Sequence, residues 1–81
     1  KNGKLNGESK WFSEKNILLR YTNYKDNLHH GKSINYDSEG NVTTEGNYIE
    51  DQKKGIWLYY KAGILTRKID YTNQKVIWKK Q

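Results

Sequence analysis

The sequence predicts an all-β fold, a continuous antiparallel meander of about six or seven short strands built from β-hairpin repeats. Three observations lead there. Gly7, Gly31 and Gly55 lie 24 residues apart, and an aromatic follows each by five residues, at Phe12, Tyr36 and Tyr60. The apolar residues inside each copy alternate with period two, the mark of a strand with two unlike sides. Residues that tolerate positive φ, Asn16, Gly40 and Gly63, stand between the alternating runs, where a hairpin turn would need them.

Taken in order, each copy divides into two strands. The first runs from the glycine to the aromatic. After the turn, Leu18, Val42 and Leu65 open the second strand, and Tyr24, Tyr48 and Tyr71 close it. A further turn follows each tyrosine, in Lys25-Asp26-Asn27, Glu50-Asp51 and Thr72-Asn73-Gln74, whose acidic and amide side chains can close on the backbone. The third copy is one residue short. Tyr36 to Gly40 spans four steps and Tyr60 to Gly63 only three, so a shorter hairpin loop absorbs the deletion. Val76-Ile77-Trp78 suits a last strand better than a helix. The expected organisation is a single repeat domain over residues 1–81, with copies near 1–24, 25–48 and 49–71 and a partial fourth over 72–81. The chain has no methionine and begins in a turn-like Lys1-Asn2-Gly3-Lys4, which suggests a piece of a longer protein.

Strict alternation sorts the side chains onto two sides. One side is expected to collect Phe12, Leu18, Tyr24, Ile34, Tyr36, Val42, Tyr48, Ile56, Leu58, Tyr60, Leu65, Ile69 and Tyr71, and to act as the packing face. The other is expected to expose Trp11, Ile17, Leu19, Tyr21, Trp57 and Tyr59 among Ser9, Asn35, Thr43, Glu45, Thr66 and Lys68. An isolated copy could not bury such a ladder, so neighbouring copies must cover one another.

The composition narrows the functional classes. With 81 residues, 33% of them hydrophobic, the chain can build one small domain with a thin core and little room for an enclosed active site. The absence of cysteine removes disulfides and thiolate metal sites. The net charge of +6 comes mostly from lysine, as solubility, edge protection or an AT-rich genome would each produce. No run of residues is apolar for long enough to span a membrane as a helix.

These residues together resemble the MORN repeat, in the variant found in bacterial YwqK-type antitoxins. The pattern is Gly-x4-aromatic, a turn glycine, Leu or Val, then Tyr-x-Asn-Gly-Lys, and its best copy is Gly55-Ile56-Trp57-Leu58-Tyr59-Tyr60-Lys61-Ala62-Gly63-Ile64-Leu65. The Asn-Gly-Lys turn is intact only at Asn2-Gly3-Lys4; Asn27, Asp51 and Gln74 stand where the other glycines would be. The resemblance covers essentially the whole chain. It implies an elongated, twisted single-layer sheet of stacked β-hairpin repeats and a role in protein contacts, or for some members lipid contacts. It also implies an antitoxin or immunity-like role, in a bacterial cytoplasm or cell envelope.

Catalytic chemistry finds little support. His29-His30 is the one histidine cluster, and adjacent strand residues point apart with no third ligand at fixed spacing. Ser9, Ser13, Ser33 and Ser38 lack a nucleophile context, Glu39, Glu45, Glu50 and Asp51 read as solvated, and no phosphate loop precedes a helix. The expected function is therefore a non-enzymatic protein-binding module that needs no cofactor and no metal. Its partner-binding residues are expected to be Trp11, Tyr21, Trp57, Tyr59 and Lys68, since aromatics in a polar surround anchor interfaces. The partner is expected to be another protein, a toxin among the options. The competing expectation is an anionic phospholipid surface or a nucleic acid, stacked on the aromatics and neutralised by the lysines.

Overall fold

Hairpin turns set the strand register. The structure, a computed structural model, describes residues 6–80, so the Asn2-Gly3-Lys4 turn lies outside the described residues. Eight strands follow in order: β1 (Gly7–Phe12), β2 (Leu18–Lys25), β3 (Leu28–His29), β4 (Gly31–Tyr36), β5 (Val42–Ile49), β6 (Gln52–Lys61), β7 (Ile64–Asp70) and β8 (Lys75–Lys79). They form one open antiparallel sheet in the order β1-β2-β4-β5-β6-β7-β8, with the short β3 also paired to β2, and the sheet does not close into a barrel. The extents of 48 × 36 × 9 Å are those of a single layer.

Two kinds of turn alternate along the meander. The loops Ser13–Ile17 and Asp37–Asn41 are built alike. Their first and last residues close through Ser13 N to Ile17 O and Asp37 N to Asn41 O, both 2.8 Å, and Asn16 (φ 64°) and Gly40 (φ 88°) take the left-handed position. Ser13 Oγ accepts from the amides of Lys15 and Ile17, and Asp37 Oδ1 accepts from those of Glu39 and Asn41. In the third hairpin Lys61 pairs directly with Ile64 across only Ala62 and Gly63. The one-residue deletion thus converts the loop into a tight turn with positive φ at both central residues, as a type I′ turn requires. Asp26-Asn27 and Glu50-Asp51 make the same kind of turn between hairpins. The positions where glycine is replaced, Asn27, Asp51 and Gln74, hold positive φ all the same, at 73°, 71° and 55°.

Each hairpin carries a β-bulge at one equivalent place. The register shifts between Trp11 and Phe12, between Asn35 and Tyr36, and between Tyr59 and Tyr60. Phe12 pairs with Leu18 while Trp11 pairs with Arg20, which leaves Leu19 as the extra residue; Thr43 and Thr66 are the counterparts. One extra residue inverts which side the rest of the strand faces. Leu18, Val42 and Leu65 therefore lie on the opposite side from Tyr24, Tyr48 and Tyr71, although an even number of residues separates them.

This corrects the face assignment expected from alternation. Cross-strand partners share a side, so the row Trp11-Arg20-Asn35-Thr44-Tyr59-Arg67-Lys79 occupies one side. Adjacent to it, the row Lys10-Tyr21-Ile34-Glu45-Leu58-Lys68-Trp78 occupies the other. Tyr24, Tyr48, Tyr71 and Ile69 join the Trp57 side, whereas Tyr21, Glu45 and Lys68 move to the Leu58 side. Each side ends with its own apolar stripe: Phe12, Tyr36 and Tyr60 with Leu18, Val42 and Leu65 on one, and a ladder of rings on the other.

The buried centre lies on the Trp57 side. Trp57 is 1% exposed, and the only other fully buried side chains among the described residues are Thr22 and Ser33. The rings run Tyr24, His29, Tyr48, Trp57, Tyr71 across the strands, with centroid separations of 4.7, 4.8, 5.0 and 6.1 Å. The last two contacts are edge-to-face, a favoured aromatic geometry. Gly7 pairs with Tyr24, Gly31 with Tyr48, and the amide of Tyr71 donates to the carbonyl of Gly55, so each recurring glycine stands against a recurring tyrosine. A Cβ at Gly7 or Gly55 would meet open space; what these positions need is positive φ, 95° and 71°.

Candidate functional site

The bulges decide which of the five expected binding residues share a surface. Trp11, Trp57 and Tyr59 lie on one side and Tyr21 and Lys68 on the other, so the five do not form one patch. Trp57 is no exposed anchor. Its Nε1 donates to the carbonyl of Asn47 at 3.0 Å, its ring covers Gly46, and Tyr48 and Tyr71 abut it. Trp11 and Tyr59 lie in one row but four strand spacings apart, about 19 Å at the usual interstrand distance.

Around each of these two aromatics the structure builds a small basic cluster. The Arg20 guanidinium lies 5.4 Å from the Trp11 ring, its cross-strand partner, and the Arg67 guanidinium lies 4.7 Å from the Tyr59 ring, again a cross-strand pair. Arg20 Nε is buried and finds no acceptor among the described residues. Lys53 reaches over three rings, 5.0 Å from Trp57, 5.1 Å from Tyr71 and 5.9 Å from Tyr59, and its Nζ donates to the Tyr59 hydroxyl at 3.5 Å. The Tyr59 and Tyr71 hydroxyls are themselves hydrogen bonded at 2.5 Å. Burial, reinforced by the hydrogen bond and the nearby charge of Tyr71, raises the Tyr59 phenol far above its ordinary value, against the opposing pull of Arg67.

Charge divides unequally between the two sides. In the paired strand positions of the Trp57 side the ionic groups are Arg20, Lys53, Lys61, Arg67 and Lys79, all cations. The other side mixes Glu8, Glu45 and Asp70 with Lys10, Lys25, Lys32, Lys54, Lys68 and Lys75; there Lys32 pairs with Glu45 at 3.2 Å, and the Tyr21 hydroxyl donates to Glu8 at 2.9 Å. Tyr21 and Lys68 thus belong to a side on which both signs of charge occur. Alternation alone could not separate the two groups, because the bulge that separates them leaves only a weak mark in sequence: β-branched Thr43 and Thr66, and Leu19, before a polar run.

The histidines do different work from each other. His29 is clasped between Tyr24 and Tyr48, its Nδ1 lies 3.1 Å from Thr22 Oγ1, and its amide donates to Asp51 at 2.7 Å. The sequence weighed it only as a metal ligand and did not reveal its place in the ladder. Its position two residues before Gly31 was the available signal. Among the described residues no three His, Cys, Asp or Glu side chains converge as a metal site, and no helix is long and apolar enough to cross a membrane.

The surface this leaves is a basic, aromatic-studded side of a sheet one layer thick. Set beside known proteins, the chain matches no family model, no curated protein and no solved structure.

Proposed function

We propose that the chain is a non-enzymatic protein-binding module of MORN type, with an antitoxin or immunity-like role as its narrower form. The observation that carries this reading is the Trp57 side. Within it, Trp11 stays 45% exposed beneath Arg20, and Tyr59 stands beneath Arg67, both on rigid strands. Arginine and aromatic residues held rigid by strand pairing are the groups that anchor interfaces at low entropic cost. Trp57, 1% exposed, is not among the contact residues. A sheet 9 Å thick has no second layer against which to build an enclosed pocket, which favours surface recognition over catalysis.

The test is affinity capture with cross-linking from the source cell, comparing the wild-type chain with Trp11→Ala and Tyr59→Ala. Reduced recovery of the same partner by both variants supports the reading, and equal recovery by all three removes this side as the interface. The narrower antitoxin reading requires that the purified chain suppress the activity of a toxin encoded beside it.

A second reading, binding to anionic phospholipid or nucleic acid, is favoured by the all-cationic charge of the paired positions on the Trp57 side and by the Arg20 Nε, which has no acceptor among the described residues. It requires an affinity for phosphatidylserine vesicles or single-stranded oligonucleotides that falls steeply with salt.

A further inference from the structure

The turns between hairpins stack on one another, and the two contacts in that stack are built differently. In the first, the Glu50-Asp51 turn docks on β3: the Asp51 amide donates to the His29 carbonyl at 2.9 Å, and the His29 amide donates to Asp51 Oδ1 at 2.7 Å. In the second, Lys53 stands where His29 stands and Gln74 where Asp51 stands, so the turn brings no carboxylate. No backbone bond joins Lys53 to residues 72–74 among the described residues.

The cause is a change of register. Tyr24 pairs with His29 and Tyr48 with Lys53, but between β7 and β8 it is Asp70 that pairs with Lys75 and Ile69 with Val76. Tyr71 is thereby left in the loop with Thr72, Asn73 and Gln74. Asp70 Oδ1 holds that loop by accepting from the amides of Thr72 and Asn73 at 3.0 and 3.1 Å, an Asx turn. Thr72 Oγ1 in turn accepts from the Gly55 amide at 2.9 Å, so the loop is tied to Gly55 and not to Lys53.

What the second contact leaves open is a groove of about 670 Å3 between residues 52–54 and residues 74–76. Lys53, Lys54 and Lys75 line it together with Ile69, Tyr71 and Val76, and none of its lining residues is acidic. Lys54 and Lys75 border it from the Leu58 side, and the three apolar residues from the Trp57 side. Lys53 supplies its amide in the plane of the sheet. Ile49 and Gln52 flank a two-residue turn and exchange both backbone bonds, so the next pair, Tyr48 and Lys53, exchanges none, and the Lys53 amide points away from β5 into the groove. The His29 amide points outward in the same way, and there a carboxylate receives it.

We propose that this groove binds a small organic carboxylate. Its carboxylate takes the place on the Lys53 amide that Asp51 takes on the His29 amide, beside the ammonium groups of Lys54 and Lys75, and its apolar body lies against Tyr71, Ile69 and Val76. An amide and two cations around one carboxylate are charge-assisted donors, the stronger class of hydrogen bond. The volume is that of a small-molecule site. A protein partner would need roughly 800 Å2 of surface, more than this groove presents. The site is separate from Trp11 and Tyr59, so its failure leaves the protein-binding reading standing.

The experiment titrates the isotopically labelled chain with 3-phenylpropionate and with the uncharged 3-phenylpropionamide, following backbone amides by nuclear magnetic resonance. The carboxylate is expected to shift the amides of Lys53, Gly55 and Gln74, and the uncharged compound to bind roughly tenfold more weakly or worse, the size of a hydrogen bond to a charged group. Lys54→Gln/Lys75→Gln, its fold checked by the remaining amides, is expected to weaken the carboxylate by a similar factor, whereas Lys10→Gln/Lys25→Gln, on the same side but outside the groove, leaves it unchanged. Gln74→Asp, which returns the residue of the first contact, is expected to weaken it as well. Equal response to the two compounds, equal response to inorganic phosphate, shifts confined to the Trp11 and Tyr59 rows, or undiminished binding by Gln74→Asp would each overturn the proposal. Tighter binding of a peptide of residues 48–52 would overturn it too, by giving the groove to a protein side chain.

Discussion

Trp57 fits this sheet because Gly46 has no side chain. A Cβ built at Gly46 would stand 2.1 Å from the Trp57 Cδ2, with Cε2 and Cγ at 2.2 and 2.4 Å, so the indole covers the backbone of β5 directly. Gly46 is thus required for space, where Gly7 and Gly55 are required for conformation.

Gly46→Ala is expected to destabilise the chain by about 2 kcal/mol or more, since an indole packed on three sides cannot shift without disturbing Tyr48 and Tyr71. Urea denaturation measures it. In a Trp57→Leu background the same substitution is expected to cost much less, and a double-mutant cycle with no coupling would show that the contact does not govern packing.

Turn chemistry leaves room for gain. Ala62 holds φ 53° and Glu50 holds φ 50°, conformations that cost an L-residue roughly 1 kcal/mol. Ala62→Asn, which creates an Asn-Gly turn, and Glu50→Asn are each expected to raise the melting temperature by a few degrees. Scanning calorimetry on the two variants checks this, and an unchanged or lower melting temperature counts against the turn assignment.

Acid stability is expected to follow two turn carboxylates. Asp37 is held below its ordinary value of 3.8, first by the amide of Asn41, and Asp70 by the side chain and amide of Asn73. A depressed carboxylate contributes stability that is present above the ordinary value and is lost as pH falls through the folded one. Thermal melts from pH 7 down to pH 2 should therefore show loss below about pH 4. The Asp37→Asn/Asp70→Asn chain should show a shallower acid limb with a lower plateau at neutral pH.

The alkaline limb is expected to report Tyr59. A phenol raised in the folded state contributes stability that is complete below its ordinary value of 10.0 and is lost as pH rises toward the folded value. Ultraviolet titration of phenolate should show at least one tyrosine ionising only as the sheet unfolds. Tyr59→Phe should remove that step, and Tyr21→Phe, on the opposite side, should leave it.

Much of the fold is legible in the residues themselves. The spacing of Gly7, Gly31 and Gly55, the period-two runs and the positive-φ positions Asn16, Gly40 and Gly63 specify hairpins, and the short step from Tyr60 to Gly63 locates the tight turn of the third. These are local properties, because a turn is decided by the φ that a few consecutive residues can adopt. The candidate surface was less legible. Trp11 and Tyr59 fall on one side as expected, but Tyr21 and Lys68 do not, and Trp57 turns inward.

Only the tertiary structure decided those last points, for one physical reason. A single extra residue at Leu19, Thr43 and Thr66 reverses the facing of everything beyond it, and its presence depends on how the partner strand pairs rather than on the strand's own composition. The sequence by itself determined where the chain turns and that it repeats. The pairing of strands decided which rings meet, placing Trp57 over Gly46 as the core and setting Arg20 against Trp11 and Arg67 against Tyr59.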